Sequence, residues 1–340
     1  MLTTVRCVPA TSGNELVLSS ESAGVEDDGG AVVQVSDIQA QTVSAAAAAH
    51  LRMTDPLVIP DAVLTQEYAD AVNDLLAARI RPFLDGLRAQ LDLAVREETI
   101  GGTRVVVIEP RKIRRNRKGV AGVFAHGGGF ALLSGHDYNA YRVAHDLGIV
   151  VYSVDYSLSP KARFPVALEE TQRAYQAVTR RHRTVVVAGS SAGANLLIST
   201  VSAAARGRRP AAAGFFAPAA DLRVIGDSYV ANDGRDPLLT RDTGEKLFAA
   251  YRGTASAVDP RISPLLADFN GGFVPTMITT GTRDLLQSDA VRFTRVLRDA
   301  GVPVRLRVWE GMWHAFESVA GLPEGEEAMA EVFGFLGRHL

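Results

Sequence analysis

From residue 96 onward, short and nearly unbroken apolar runs alternate with segments of helical period, and few folds accept that rhythm. The runs are 104–108 (RVVVI), 120–125 (VAGVFA), 149–154 (IVVYSV), 184–189 (TVVVAG), 212–217 (AAGFFA), 275–280 (PTMITT) and 304–309 (VRLRVW). Helical patterns over 138–147, 166–182, 192–207, 288–300 and 324–339 separate most of them. A strand that is apolar on both faces must be covered on both faces. The alternation therefore predicts an α/β fold with a mostly parallel central sheet and helices on both sides. The stretch 221–270 breaks the rhythm with loops and one helix, as an insertion near the carboxyl edge of the sheet would.

The chain has 340 residues, 47% hydrophobic and 22% charged, with a formal net charge of −2. That supports a substantial core and gives no reason to expect nucleic acid or a membrane as partner. The lone Cys7 leaves no internal disulfide framework and argues against a cysteine zinc site; no histidine or carboxylate spacing suggests another metal. No apolar run approaches a membrane span, and the N-terminus lacks the basic-then-apolar order of a signal peptide, so a cytoplasmic protein is expected. Residues 1–45, rich in Ser, Ala, Gly and acid and closing on the alanine run at 45–49, read as a loosely ordered tail, with a hairpin at Asp27-Asp28-Gly29-Gly30 as the alternative. Residues 46–340 read as one domain. Leu64, Tyr68, Val72, Leu75 and Leu76, then Ile80, Leu84, Leu87 and Leu91 past Pro82, predict two amphipathic helices. They are ordinary core helices, or a cap from 55–92 that closes over a pocket together with 221–270.

Chemistry concentrates where strands end. Gly189-Ser190-Ser191-Ala192-Gly193 follows a buried strand and opens a helix. In a G-x-S-x-G elbow the central serine stands at the apex of a tight strand-to-helix turn, and the flanking glycines admit close neighbours, which makes Ser191 the nucleophile candidate. His126-Gly127-Gly128-Gly129-Phe130 closes another strand, and its glycines can aim backbone N–H groups at one point, as an oxyanion requires. A plain flexible turn is the alternative. No phosphate-loop pattern occurs, and His126 reads as a residue shaping the loop. Gly281-Thr282-Arg283-Asp284 and Gly311-Met312-Trp313-His314 each follow a strand at the same edge. The order Ser191, Asp284, His314 is that of α/β-hydrolases. Trp313 either lines the pocket or packs beneath the insertion. His50, His136, His145, His182 and His339 default to helix or loop surface. The basic run 111–118 reads as a solvated hairpin loop between two strands rather than an anion or nucleic-acid patch.

Taken together, HGGGF, GSSAGAN, DYSLSPKARFP, SYVANDGRDPLLT, DPRISPL, GTRDLL and GMWHAF resemble the hormone-sensitive-lipase-like family of α/β-hydrolases over about residues 60–340. The likeness is to its bacterial short-chain esterases and monoterpene-lactone-hydrolase-like members. It implies Ser191, Asp284 and His314 as a catalytic triad, and the N–H groups of Gly128, Gly129 and Ala192 as oxyanion hole. It also implies that the helices after Pro60 and the 221–270 insertion cap the pocket. Four positions depart from the family pattern. Ser190 stands where Asp is usual and Ala194 where a glycine often follows. Ser157 and Lys161 replace Arg and Glu, and Ser288 replaces one of two acids, with Asp289 retained. The expected activity is serine hydrolysis of small acyl esters or lactones through an acyl-enzyme, with no cofactor. The partner is a small-molecule substrate, and a homodimer is one permitted assembly. The alternatives are amide deacetylation by the same triad, a ligand receptor on a hydrolase scaffold, and a lyase using His314 as base. The pH dependence of kcat/KM is expected near an ordinary histidine, ~6.5.

Overall fold

The computed structural model describes residues 37–53, 56–113 and 115–340. Eight strands form one sheet: β1 (Leu93–Ile100), β2 (Thr103–Pro110), β3 (Val120–Ala125), β4 (Val150–Val154), β5 (Thr184–Ser190), β6 (Ala213–Phe216), β7 (Thr276–Gly281) and β8 (Val304–Trp309). Their spatial order is β1-β2-β4-β3-β5-β6-β7-β8. β3 to β8 run parallel; β2 is antiparallel to both β1 and β4. The helices are α1 (Asp37–Ala40), α2 (Ala45–Met53), α3 (Gln66–Gln90), α4 (Tyr138–Leu147), α5 (Val166–Arg181), α6 (Ser191–Ala203), α7 (Ser228–Ala231), α8 (Arg241–Arg252), α9 (Gln287–Asp299) and α10 (Pro323–Gly337). This is the α/β-hydrolase fold, a mostly parallel sheet sandwiched by helices.

Alternation along the strands builds two cores. Val105, Val107, Val185 and Val187 point to the face covered by α5, α6 and α9. Val106, Ile108, Val186 and Ala188 point to the face covered by α4, α10 and the second half of α3. Local signals set several helix ends. Asp137 accepts the Ala140 N–H at 3.1 Å to cap α4, and Gly148 closes that helix in the left-handed region at φ 63°. Thr65 and Thr240 cap α3 and α8 in the same way.

Four local expectations meet a different arrangement. The expected strands begin at residue 104, yet β1, with its charged Arg96-Glu97-Glu98, pairs with β2 along its full length as an edge strand. The signal was Gly101-Gly102, whose φ values of 62° and 79° make the two-residue turn of a β-hairpin. Pro82 does not divide its segment: α3 is continuous, because Ile80, Phe83, Leu84 and Leu87 carry one apolar stripe past it onto the second core. The basic run joins β2 to β3, which do not pair, so it is a connection rather than a hairpin loop; Arg111 forms an ion pair with Asp92, and Arg117 donates to the Gly337 carbonyl.

The fourth is the N-terminal segment. Residues before 37, including the hairpin alternative at 27–30, lie outside the described residues. Within 37–45, α1 and the start of α2 are helical and anchored. The Ser44 hydroxyl and N–H both donate to Glu324 at the start of α10, at 2.8 and 2.6 Å. Ala47 is buried in a third, smaller core with Trp309, Met312, Trp313 and Phe316. Among the described residues no helix is long and apolar enough to cross a membrane.

Candidate active site

β5 passes into α6 without a loop. Ser190 is still extended (φ −114°, ψ 137°), and Ser191 turns the corner at φ 51°, in the left-handed region a serine rarely occupies. Such a turn puts the Ser191 hydroxyl at the carboxyl edge of the sheet and needs empty space on both sides. A Cβ on Gly193 would lie 2.1 Å from the Ala125 carbonyl oxygen, and one on Gly189 would lie 2.9 Å from Leu197 Cδ1. The two glycines let α6 seat against the end of β3.

His314 and Asp284 arrive on the loops after β8 and β7, which are stitched together. Arg283 donates its N–H to the Met312 carbonyl (2.9 Å), and Gly311 donates its N–H to Thr282 Oγ1 (2.8 Å). A side chain on Gly281 would strike the Met312 carbonyl at 2.1 Å. This stitching brings His314 Nδ1 to 2.9 Å from Asp284 Oδ1, and Nε2 to 2.9 Å from Ser191 Oγ. The remaining acceptor capacity of Asp284 is filled by the Leu286 N–H on Oδ1 (2.8 Å) and by the Thr280 hydroxyl on Oδ2 (2.6 Å). An Asp284 held as an acceptor on all sides fixes the tautomer with the proton on Nδ1, leaving Nε2 to accept from Ser191. Ser191, Asp284 and His314, picked from three distant stretches of sequence, thus form one hydrogen-bonded chain.

Gly128 and Gly129 adopt φ of 92° and 60°. The Gly128 carbonyl turns away to accept the N–H groups of Ala131 and Leu132. Tyr156 donates its hydroxyl to the carbonyls of His126 and Gly127 at 2.8 and 3.1 Å. With those carbonyls held outward, the N–H groups of Gly128, Gly129 and Ala192 have no acceptor among the described residues. Ala192 is in the first turn of α6, where an N–H has no intrahelical partner. Asn73 of α3 braces the same loop, accepting the Leu133 N–H and donating to the Ala131 carbonyl, both at 2.9 Å. From α8, Leu247 covers Gly129, where a Cβ would come within 2.6 Å of it.

His126 shapes this loop. Its ring stacks on Tyr156 at 4.1 Å, Nδ1 donates to the Gly127 carbonyl, and burial lowers its pKa to about 4. Trp313 packs against the N-terminal segment and stacks on His50 at 4.4 Å; His50 is therefore half-buried and not surface, and burial brings its pKa to about 4. Asp289, retained from the family pattern, is fully buried away from His314. It accepts the Asp221 N–H and the Tyr229 hydroxyl, and burial raises its pKa well above the usual carboxylate range. Ser288 and Ser228 exchange N–H and hydroxyl bonds where α9 begins.

Two buried acids beside His314 were not singled out in the sequence. Asp236 accepts the His314 N–H, and burial brings its pKa to about 6. Glu317 accepts from Thr279, and burial raises it to about 7. Burial opposes protonation of His314, but the charge and hydrogen bond of Asp284, with the charges of Asp236 and Glu317, outweigh it and raise its pKa above the ordinary value.

The fold and these motifs define an α/β-hydrolase with a serine at its elbow. A sequence profile of the alpha/beta hydrolase fold matches residues 122–318. The chain is 30% identical over 236 residues to the ethyl acetate hydrolase of Pseudomonas putida, spanning 65% of this chain and 74% of that protein. It is 30% identical over 224 residues to the acetyl-hydrolase of Streptomyces hygroscopicus, spanning 63% and 74%. A 202-residue stretch, 56% of this chain, is 31% identical to 25% of the mouse (Mus musculus) hormone-sensitive lipase. The crystal structure of an esterase superimposes with a TM-score of 0.79 at 29% identity, covering 94% of this chain and 99% of that one. The chain belongs to the hormone-sensitive-lipase-like α/β-hydrolases.

Proposed function

We propose that this protein is a serine carboxylic-ester hydrolase of short acyl esters, and that Ser191, His314 and Asp284 are its triad. The observation that carries the proposal is the continuous chain Ser191 Oγ, His314 Nε2, His314 Nδ1, Asp284 Oδ1, with both links at 2.9 Å. In this reading Ser191 Oγ attacks the ester carbonyl carbon while its proton passes to His314 Nε2, and Asp284 stabilises the imidazolium. The N–H groups of Gly128, Gly129 and Ala192 receive the oxyanion, each worth roughly 10²–10³ in rate by comparison with other such donors. Collapse expels the alkoxide, which takes the proton from Nε2 and leaves an acyl-enzyme. Water, deprotonated by the same nitrogen, then opens the acyl-enzyme and returns Ser191.

A short acyl group fits the cover over the site. Ser191 is only 6% exposed and Leu247 stands directly against Gly129. The names of the acetyl-hydrolase and ethyl acetate hydrolase relatives agree with that preference. The cap role of α3 and the 221–270 segment belongs to the same proposal.

The test is a pre-steady-state burst of p-nitrophenol from p-nitrophenyl acetate, with a fluorophosphonate adduct mapped by mass spectrometry. Expected are a burst near one equivalent and an adduct on Ser191. Turnover that survives Ser191→Ala, or an adduct on Ser190, would reject the assignment. Esters from acetyl to octanoyl, run beside γ-butyrolactone and acetanilide, separate the ester reading from lactone and amide hydrolysis.

A further inference from the structure

We propose that Asp236 is a positioning residue that locks the acid loop, the base loop and the covering segment into one register, so that the cover and the triad are set together. The proposal rests on the serine-hydrolase reading above. Asp236 is 2% exposed and lies between α7 and α8 in the segment that covers the site. Its carboxylate accepts four backbone N–H groups. Oδ1 takes those of Leu238 (2.9 Å) and Leu239 (3.2 Å) in its own segment. Oδ2 takes that of Leu285 (3.0 Å), the residue after Asp284, and that of His314 itself (3.1 Å). One oxygen thus ties the backbone of the base to the backbone beside the acid, across 78 and 49 residues of chain.

The other end of the same segment reaches the cover. The Leu238 carbonyl accepts the Leu57 N–H at 3.1 Å, and Thr243 of α8 donates its hydroxyl to the Leu57 carbonyl at 2.6 Å. Lys246 donates to the Ile59 carbonyl at 2.8 Å, and the next residue is Leu247, against Gly129. Asn232, four residues before Asp236, donates to the Asp284 carbonyl at 2.9 Å.

Four converging donors require an acceptor on both branches, which a carboxylate provides and an amide does not. In Asp236→Asn one branch becomes an NH2 group facing two N–H donors, and the loops on that side must separate. Loss of the charge also acts on His314. The groups that bear on its imidazole are Asp284 from the loop after β7, Glu317 from the turn after its own loop, and Asp236 from the covering segment. Those that bear on Asp236 are His314 and Asp284.

Steady-state kinetics of p-nitrophenyl acetate hydrolysis across pH by Asp236→Asn test the idea, on protein with parental near-UV circular dichroism. A displacement of the base by a fraction of an ångström to one ångström predicts a kcat lowered roughly 30- to 100-fold with KM within about twofold. The acid limb of kcat/KM moves to lower pH, because the Asp236 charge that helps hold the proton on the imidazole is gone. Asp236→Glu keeps the charge but displaces the carboxylate, so kcat falls while the acid limb stays. This second variant decides the matter if Asp236→Asn does not fold. Parental kcat in either folded variant, or an acid limb unmoved in Asp236→Asn, overturns the proposal. The proton NMR signal of His314 Nδ1–H, followed in parent and variant without substrate, is expected to shift. A parent that neither turns over the ester nor labels at Ser191 instead rejects the hydrolase reading, and the NMR shift then still reports whether Asp236 positions His314.

Discussion

At the residue scale the site depends on atoms that are missing as much as on atoms that are present. Gly193→Ala would place a Cβ 2.1 Å from one carbonyl and 2.3 Å from the next, and both are backbone atoms that cannot step aside. Expected is a loss of about 1–3 kcal/mol in chemical denaturation, together with a fall in kcat as the elbow is pushed off β3. Parental stability would mean that α6 can slide along the sheet. The raised pKa of His314 predicts that kcat/KM falls with acid along a limb centred above ~6.5, since the imidazole must be neutral to take the proton. A limb centred below that value would contradict the charge arrangement around it. Sequence made Ser191, Asp284 and His314 legible because each stands in a compact motif just past a strand. Asp236 lies inside SYVANDGRDPLLT, a stretch that carries the family resemblance, but its role was not legible because its partners Leu285 and His314 are far away in the chain.

At the element scale α3 has two jobs that sequence periodicity alone did not separate. The first half of α3 presents Asn73 to the glycine loop, whereas the second half buries Leu84 in the core beneath the sheet. Both stripes have the same helical spacing, so one pattern fits both roles. Asn73→Ala is expected to lower kcat about tenfold and stability by about 1–3 kcal/mol, since it strands an N–H and a carbonyl on the loop that carries the oxyanion donors. A parental kcat would show that the loop holds its shape unaided. The N-terminal segment is subtler, because an alanine run reads as filler. Here Val43 lies against Gly311, Gln39 accepts from Arg283, and His50 stacks on Trp313, so the segment braces the loops that carry Asp284 and His314. Deleting residues 1–53 should lower both Tm and kcat. Burial of even one or two such side chains is worth about 2–3 kcal/mol. Unchanged kcat and Tm after that deletion would reduce the segment to a passenger.

At the scale of the whole molecule, the sheet was readable because buried parallel strands leave little choice of composition. Its antiparallel end was less so, because an edge strand half-open to water carries charges like those of a loop. The same burial that makes the core sets how the molecule answers acid. His50 and His126 are held neutral in the fold with pKa values near 4, while an unfolded histidine titrates near 6.5. A base with a lowered folded pKa leaves the unfolded chain binding more protons below 6.5, so its share of stability is lost as pH falls from about 6.5 toward 4. Glu317 and Asp236 act in the opposite sense. With folded values near 7 and 6 they hold protons that the unfolded chain releases, so their share is lost as pH rises through that range. The histidines and the buried acids thus oppose each other over one pH window, and His50 is the accessible handle on the histidine share. His50→Phe keeps a flat ring on Trp313 and removes the titration. Its Tm should fall less than the parent's between pH 6.5 and 4.5, by a difference on the order of 1–2 kcal/mol in stability at the lower pH. Parallel Tm curves for parent and variant across that window would show that His50 keeps an ordinary pKa in the fold.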